Sequence, residues 1–169
     1  MGAGHLVTAA RSLADAATQR SPGGGWRPPA GCVSFSTAAP ASASAVEEFL
    51  RYDSAVASFA RTAKEDIQLS GGVVPKGEVV VAVLPSANHD PAVFADPERL
   101  DVGRGDTRHL GFGGGMHTCI GAALARMETR IAMTSLLARY PRMELAASEL
   151  NHMVSWVVRG VTSLPVNVG

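Results

Sequence analysis

One run of residues constrains this chain more than any other: Gly111-Phe112-Gly113-Gly114-Gly115-Met116-His117-Thr118-Cys119-Ile120-Gly121. Glycine tolerates φ > 0 and lets backbone come close to a flat ligand, so the run predicts a tight loop rather than a helix or strand. Immediately after it, 122–138 reads as a helix whose first turn directs unpaired N–H groups back toward the Cys119 sulfur, conditions that favour a thiolate. A single thiolate in such a loop suits a nucleophile, an oxidation-prone free cysteine, or the one axial ligand of a haem. Zinc asks for three or four protein ligands and an iron–sulfur cluster normally for four, whereas the chain has only one other cysteine, Cys32. Locally, haem thiolate ligation is the metal chemistry that fits best.

The order Phe112-Gly113-x-Gly115-x-His117-x-Cys119-x-Gly121 closely resembles the haem-binding signature of cytochrome P450 proteins, particularly the soluble bacterial type. The resemblance implies haem b (iron protoporphyrin IX) as cofactor and Cys119 as its axial iron ligand and catalytic sulfur. It implies further that Phe112, Gly113 and Gly121 belong to the cofactor-binding loop and that His109 and His117 donate hydrogen bonds to the haem propionates. Arg61 occupies the place where the family usually has an arginine paired with a propionate, a role its planar donor fork suits.

Upstream, 45–52 (Ala-Val-Glu-Glu-Phe-Leu-Arg-Tyr) reads as a short amphipathic helix with Val46, Phe49 and Leu50 near one face. Glu48 and Arg51 are three residues apart and can meet on one side of it. Alone they would be an ordinary surface pair, but Glu48-Phe49-Leu50-Arg51 resembles the Glu-x-x-Arg of the P450 helix that packs behind the haem loop. That likeness implies a buried structural network, which Arg99 is expected to join. Between them, 66–69 alternates as a half-exposed strand, Gly71-Gly72 and 75–77 read as turns, and 79–84 reads as a more buried strand, so a small hairpin-built sheet is predicted. The segment 85–109 reads as ordered loop, in which Asn88, His89 and Asp90 cap turns rather than bind metal. In the helix after the cysteine, Leu124, Met127 and Ile131 recur at one-turn spacing, Met127 and Met133 read as core filler, and Pro141 marks the end. One or two short strands are expected within 153–161.

The expected fold is therefore mainly α with a small antiparallel β-sheet, an incomplete cytochrome P450-like fold over 45–169. It is preceded by a weakly structured segment, 1–44, with a short helix over 5–17. Fifteen basic residues offset fifteen acidic ones, which gives no electrostatic footprint for nucleic acid. Aromatic residues make up 5% of the chain, so the core must rest on Val, Leu, Ala and Met. No apolar run reaches a membrane-spanning length and the N-terminus has no signal-like core, so a cytoplasmic location is expected.

By resemblance the activity is that of a haem monooxygenase that inserts one oxygen atom into an organic substrate, using electrons from a ferredoxin-type donor. The substrate has no signature in the sequence. The Ala/Gly-Gly-x-x-Asp/Glu-Thr pattern of the family's long central helix is not found in 1–45, so the isolated chain is expected to be catalytically impaired. The alternatives are a noncatalytic remnant, or a module presenting Arg126 and Arg130 to a redox partner. Apolar faces on the 45–52 helix and along Leu124, Met127 and Ile131 are expected to be left open, favouring self-association or a complementing chain.

Overall fold

The computed structural model describes residues 42–106, 108–147 and 150–168, and the expectations for 1–41 lie outside it. Helix α1 spans Ala43–Tyr52. It begins two residues before the amphipathic pattern because Ser42 caps it, its hydroxyl accepting from the Ala45 amide at 3.1 Å. Then follow β1 (Ser58–Thr62), β2 (Ile67–Leu69), β3 (Gly72–Val74), β4 (Val79–Val83), a five-residue helix α2 (Leu84–Asn88), the long helix α3 (Ala122–Arg139), β5 (Met143–Leu145) and β6 (Val166–Val168). The fold is mainly helical with small antiparallel ladders.

The predicted sheet is split. β2 and β3 form the expected hairpin, but β4 pairs with β1, with Phe59 opposite Ala82 and Arg61 opposite Val80. The strand over Ser58–Thr62 has no strong alternation in sequence and exists because β4 returns alongside it. A third ladder joins β5 to β6. The strands expected within 153–161 do not form. That segment makes only isolated bridges, Val56 to Val158 and His152 to Val161.

The core forms where α1 crosses α3. Ala45 and Phe49, one turn apart, pack on Met133 and Leu137, and Val46 and Leu50 pack on Phe112, Ala122 and Ala125. Burying a side chain such as Phe49 contributes about 1.5–3 kcal/mol. α1 is therefore closed on its apolar side, contrary to the expectation that Val46, Phe49 and Leu50 would be left open. α3 turns its small face inward: its buried residues are Ala122, Ala125, Thr129, Met133 and Leu137. Leu124, Met127 and Ile131 are 54%, 49% and 56% exposed. That stripe stands open, as expected, although Met127 reads in sequence as core filler; Met133 is the methionine that fills the core, and Ala122 and Ala125 allow the closer approach to α1 that bulkier residues would prevent.

Candidate functional site

The glycine loop carries Cys119 at the start of α3. Gly113 and Gly115 have φ of 74° and 62°, the left-handed region that disfavours side chains, and they bend the chain into a single 3-10 turn over Gly115–His117. The turn is closed by two donors on the Gly115 carbonyl, the Thr118 amide at 3.2 Å and its hydroxyl at 2.8 Å. The Cys119 amide then donates to the Phe112 carbonyl at 2.9 Å, closing the loop on itself. Cys119 is a free, partly buried thiol packed against the Val46, Leu50, Phe112, Ala122 and Ala125 cluster. A Cβ added to Gly121 would stand 3.7 Å from its sulfur.

Phe59 and Arg61 share one face of β1, with the Arg61 guanidinium carbon 5.5 Å from the Phe59 ring centre. A Cβ on Gly113 would lie 3.5 Å from the Phe59 ring. Phe59 therefore borders the glycine loop, and Arg61 lies beside it on the same strand face. Arg61 also lines a pocket of about 180 Å³ with Thr62, Ala63, Ile67, Leu69, Val74 and Val80. His117 is exposed in the turn. His109 is differently placed from the expectation. Its ring is buried behind the loop, Nδ1 accepting from the Gly111 amide at 3.0 Å and Nε2 lying 2.9 Å from a Glu47 carboxylate oxygen. With both nitrogens bonded inside the protein, it has no donor left for a propionate.

Glu48 and Arg51 form the buried pair that the resemblance implied, not the surface pair that their spacing alone would give. Arg51 Nε and Nη2 donate to the two Glu48 oxygens at 2.8 and 2.9 Å, with the side chains 0% and 1% exposed. The second cation is Arg104, whose Nε lies 3.1 Å from Glu48 Oε2; Arg99, expected to join the network, does so by its carbonyl oxygen, which accepts from both Arg51 and Arg104, and not by its guanidinium. Arg51 also donates to the Asn88 and Pro97 carbonyls, and Arg104 to those of Ala95 and Asp96. The irregular 89–106 segment thus folds around two guanidinium groups. Asn88, read in sequence as a local turn former, is a wholly buried node. It donates to the Ser54 hydroxyl at 2.8 Å and accepts from the Leu110 amide at 2.7 Å. No group of three or more His, Cys, Asp or Glu able to hold a metal occurs among the described residues.

Sequence reasoning missed Glu47. This carboxylate accepts from His109 and, bidentately, from Arg126 Nε at 2.6 Å and Nη2 at 2.9 Å. Its partners lie 62 and 79 positions away, so no local spacing signals them. Burial pushes its pKa upward, but the hydrogen bonds and charges of His109 and Arg126 outweigh that and hold it at about 2, below the ordinary 4.5. A carboxylate whose folded value is depressed stabilises the fold above its unfolded value and ceases to do so as pH falls through the folded one. Thermal melts should therefore show stability declining between pH 4.5 and about 2, and Glu47→Gln should flatten that decline.

The cytochrome P450 family profile matches residues 40–159. Over 129 residues, 74% of this chain and 32% of the relative, the chain is 46% identical to cytochrome P450 107B1 of Saccharopolyspora erythraea. Over 122 residues, 72% of this chain and 31% of the relative, it is 43% identical to the biotin biosynthesis cytochrome P450 of Bacillus subtilis. Among solved structures, the cytochrome P450 PksS of the Bacillus subtilis bacillaene polyketide synthase superposes with a TM-score of 0.84 at 34% identity, covering 98% of this chain and 40% of that one. The chain spans about a third of the length of the curated relatives it matches.

Proposed function

Because the chain belongs to the cytochrome P450 family, we propose that Cys119 is the axial thiolate ligand of haem b and that the chain is the haem-thiolate portion of a monooxygenase. The observation that carries this reading is the loop itself: a partly buried free thiol at the end of a glycine turn, with bare backbone at Gly113 and Gly121 beside it. A lone soft donor fits a group that needs one protein ligand, and a planar macrocycle needs the clearance that glycine leaves. When bound, the haem supplies the activation of oxygen for insertion into an organic substrate, the thiolate favouring O–O cleavage.

The roles of this chain's own residues follow from their placement. Phe112 anchors the loop in the core and holds the Cys119 amide through its carbonyl. Arg61 and His117, both exposed, are the candidates for binding the propionates, Arg61 by its donor fork and His117 by a ring nitrogen. The Glu48, Arg51 and Arg104 network supports the loop from behind and takes no part in proton transfer. A ferredoxin-type donor and a cytoplasmic location belong to the same proposal. No helix among the described residues is long and apolar enough to cross a membrane. Of the two arginines proposed for a redox partner, Arg130 is exposed and Arg126 is tied to Glu47.

Haem titration of the purified chain, followed by reduction and CO spectroscopy, tests the assignment. Stoichiometric uptake with a thiolate-type ferrous–CO band is expected, and Cys119→Ala should abolish the band; no specific uptake would remove the haem reading. Turnover by this chain alone is expected to be impaired, since the apolar stripe of α3 and Val79, Val81 and Val83 of β4 stand exposed rather than enclosing a substrate pocket. Those same surfaces should drive concentration-dependent self-association in size-exclusion chromatography, where a monomer stable to concentration would contradict it.

A further inference from the structure

Two carboxylates stand next to each other on α1 and serve different ends. Glu48 holds the irregular 89–106 segment, whereas Glu47 reaches toward the glycine loop and α3. Because His109 Nδ1 accepts from the Gly111 amide, the ring proton belongs on Nε2, which then donates to Glu47. The imidazole is thus held in one tautomer between a carboxylate and a loop amide. On its other side, Glu47 takes both donors of the Arg126 fork, and that guanidinium lies 4.6 Å over the centre of the Phe112 ring. The two arms end on consecutive residues, one on the Gly111 amide and the other on the Phe112 ring. The Phe112 carbonyl is the acceptor for the Cys119 amide.

We propose that Glu47 is a positioning residue for Cys119, gripping His109 and Arg126 together and thereby fixing the Gly111-Phe112 pair from which the cysteine's main chain is hung. The loop cannot yield inward, since a Cβ on Gly111 would already meet the Leu50 carbonyl at 2.8 Å. Outward movement is opposed by the burial of Phe112, by the hold of Asn88 on the Leu110 amide and by the two arms, and of these the two arms depend on one carboxylate. The importance of this for chemistry rests on Cys119 being the axial ligand, but the geometry it describes belongs to the protein alone.

The test uses the full chain without haem, in a Cys32→Ala background so that an aromatic disulfide reagent reports Cys119 alone. Glu47→Gln keeps the shape and removes the charge. It is expected to raise the rate of thiol modification roughly tenfold, the equivalent of losing one charge-assisted hydrogen bond. Nitrogen NMR should show His109 losing its single Nε2–H form, a change that a general loss of stability would not produce in a folded chain. Adding His109→Gln to Glu47→Gln should raise the rate little further, since the arm is already broken. If circular dichroism shows Glu47→Gln to be unfolded, Arg126→Lys, whose side chain is 40% exposed, carries the test through the same rate. A folded Glu47→Gln or Arg126→Lys chain reacting within about twofold of the background overturns the proposal. Haem titration of the same proteins separates the two readings. A parent chain that takes up no haem sinks the ligand assignment while the thiol rates still decide the positioning. A parent that binds should lose part of its thiolate-type band on Glu47→Gln.

Discussion

Glu48→Gln is expected to leave most of the chain unfolded at room temperature. It leaves the wholly buried Arg51 without its counterion, and it replaces one of the two oxygens shared by Arg51, Arg104 and the Asp101 amide with an NH2 group that can only donate. Breaking a buried pair by removing one partner costs about 3–5 kcal/mol, because the remaining charge stays in low dielectric without its counterion. Whole domains are stable by only about 5–15 kcal/mol. A chain with so much exposed apolar surface has little of that margin. Urea titration followed by circular dichroism should show the midpoint falling steeply or the folded baseline disappearing. Arg108→Ala, which breaks an exposed pair with Asp106, is the comparison and should leave the midpoint within experimental scatter. Equal effects for the two substitutions would show that the buried network is not what holds α1 to the following segment.

The second large effect is expected at Gly111. Its backbone needs no positive φ, so the requirement is one of space alone. The added methyl of Gly111→Ala would lie 2.8 Å from the Leu50 carbonyl and 3.1 Å from His109 Nδ1. The Leu50 oxygen, in the last turn of α1 and already accepting from the Ser54 hydroxyl, is main chain and cannot swing aside as a side chain would, so the loop must lift from α1. Overpacking of this kind costs about 1–3 kcal/mol, and lifting also lengthens the bond from the Gly111 amide to His109. Lower thermal stability and weaker haem uptake are both expected. Gly71→Ala, where a Cβ meets nothing within 4 Å, should change neither. A Gly111→Ala chain as stable as the parent would mean that the close approach to Leu50 is not required.

What the sequence made legible was chemistry tied to short spacing. The Glu48–Arg51 pair is three residues apart on one helix, and the loop around Cys119 announces itself by glycines that tight turning requires. What it concealed depends on distant chain. Arg104 and Arg99 are both plausible by composition, and only the path of the 89–106 segment decides that one offers a guanidinium and the other a carbonyl. His109 read as a ligand-facing residue because its neighbours are; its burial follows from Glu47, 62 positions upstream. Strand β1 is created by its partner β4 rather than by its own pattern. The open stripe of α3 was expected, but the small inward face was not, nor that Met127, read as core filler, would stand half exposed. Periodicity locates an apolar stripe but not the helix's neighbour, and here the neighbour selected the small residues.

Arg51 and Arg104 between them gather the main-chain carbonyls of Asn88, Ala95, Asp96, Pro97 and Arg99. A segment without a ladder of its own would ordinarily open in small, cheap fluctuations. Here each opening must release a guanidinium that is also held by Glu48, so fraying cannot stay confined to the segment. Residues 89–106 and α1 are thereby made a single cooperative unit, and an apparently loose stretch acquires the kinetic protection of the helix to which it is bound.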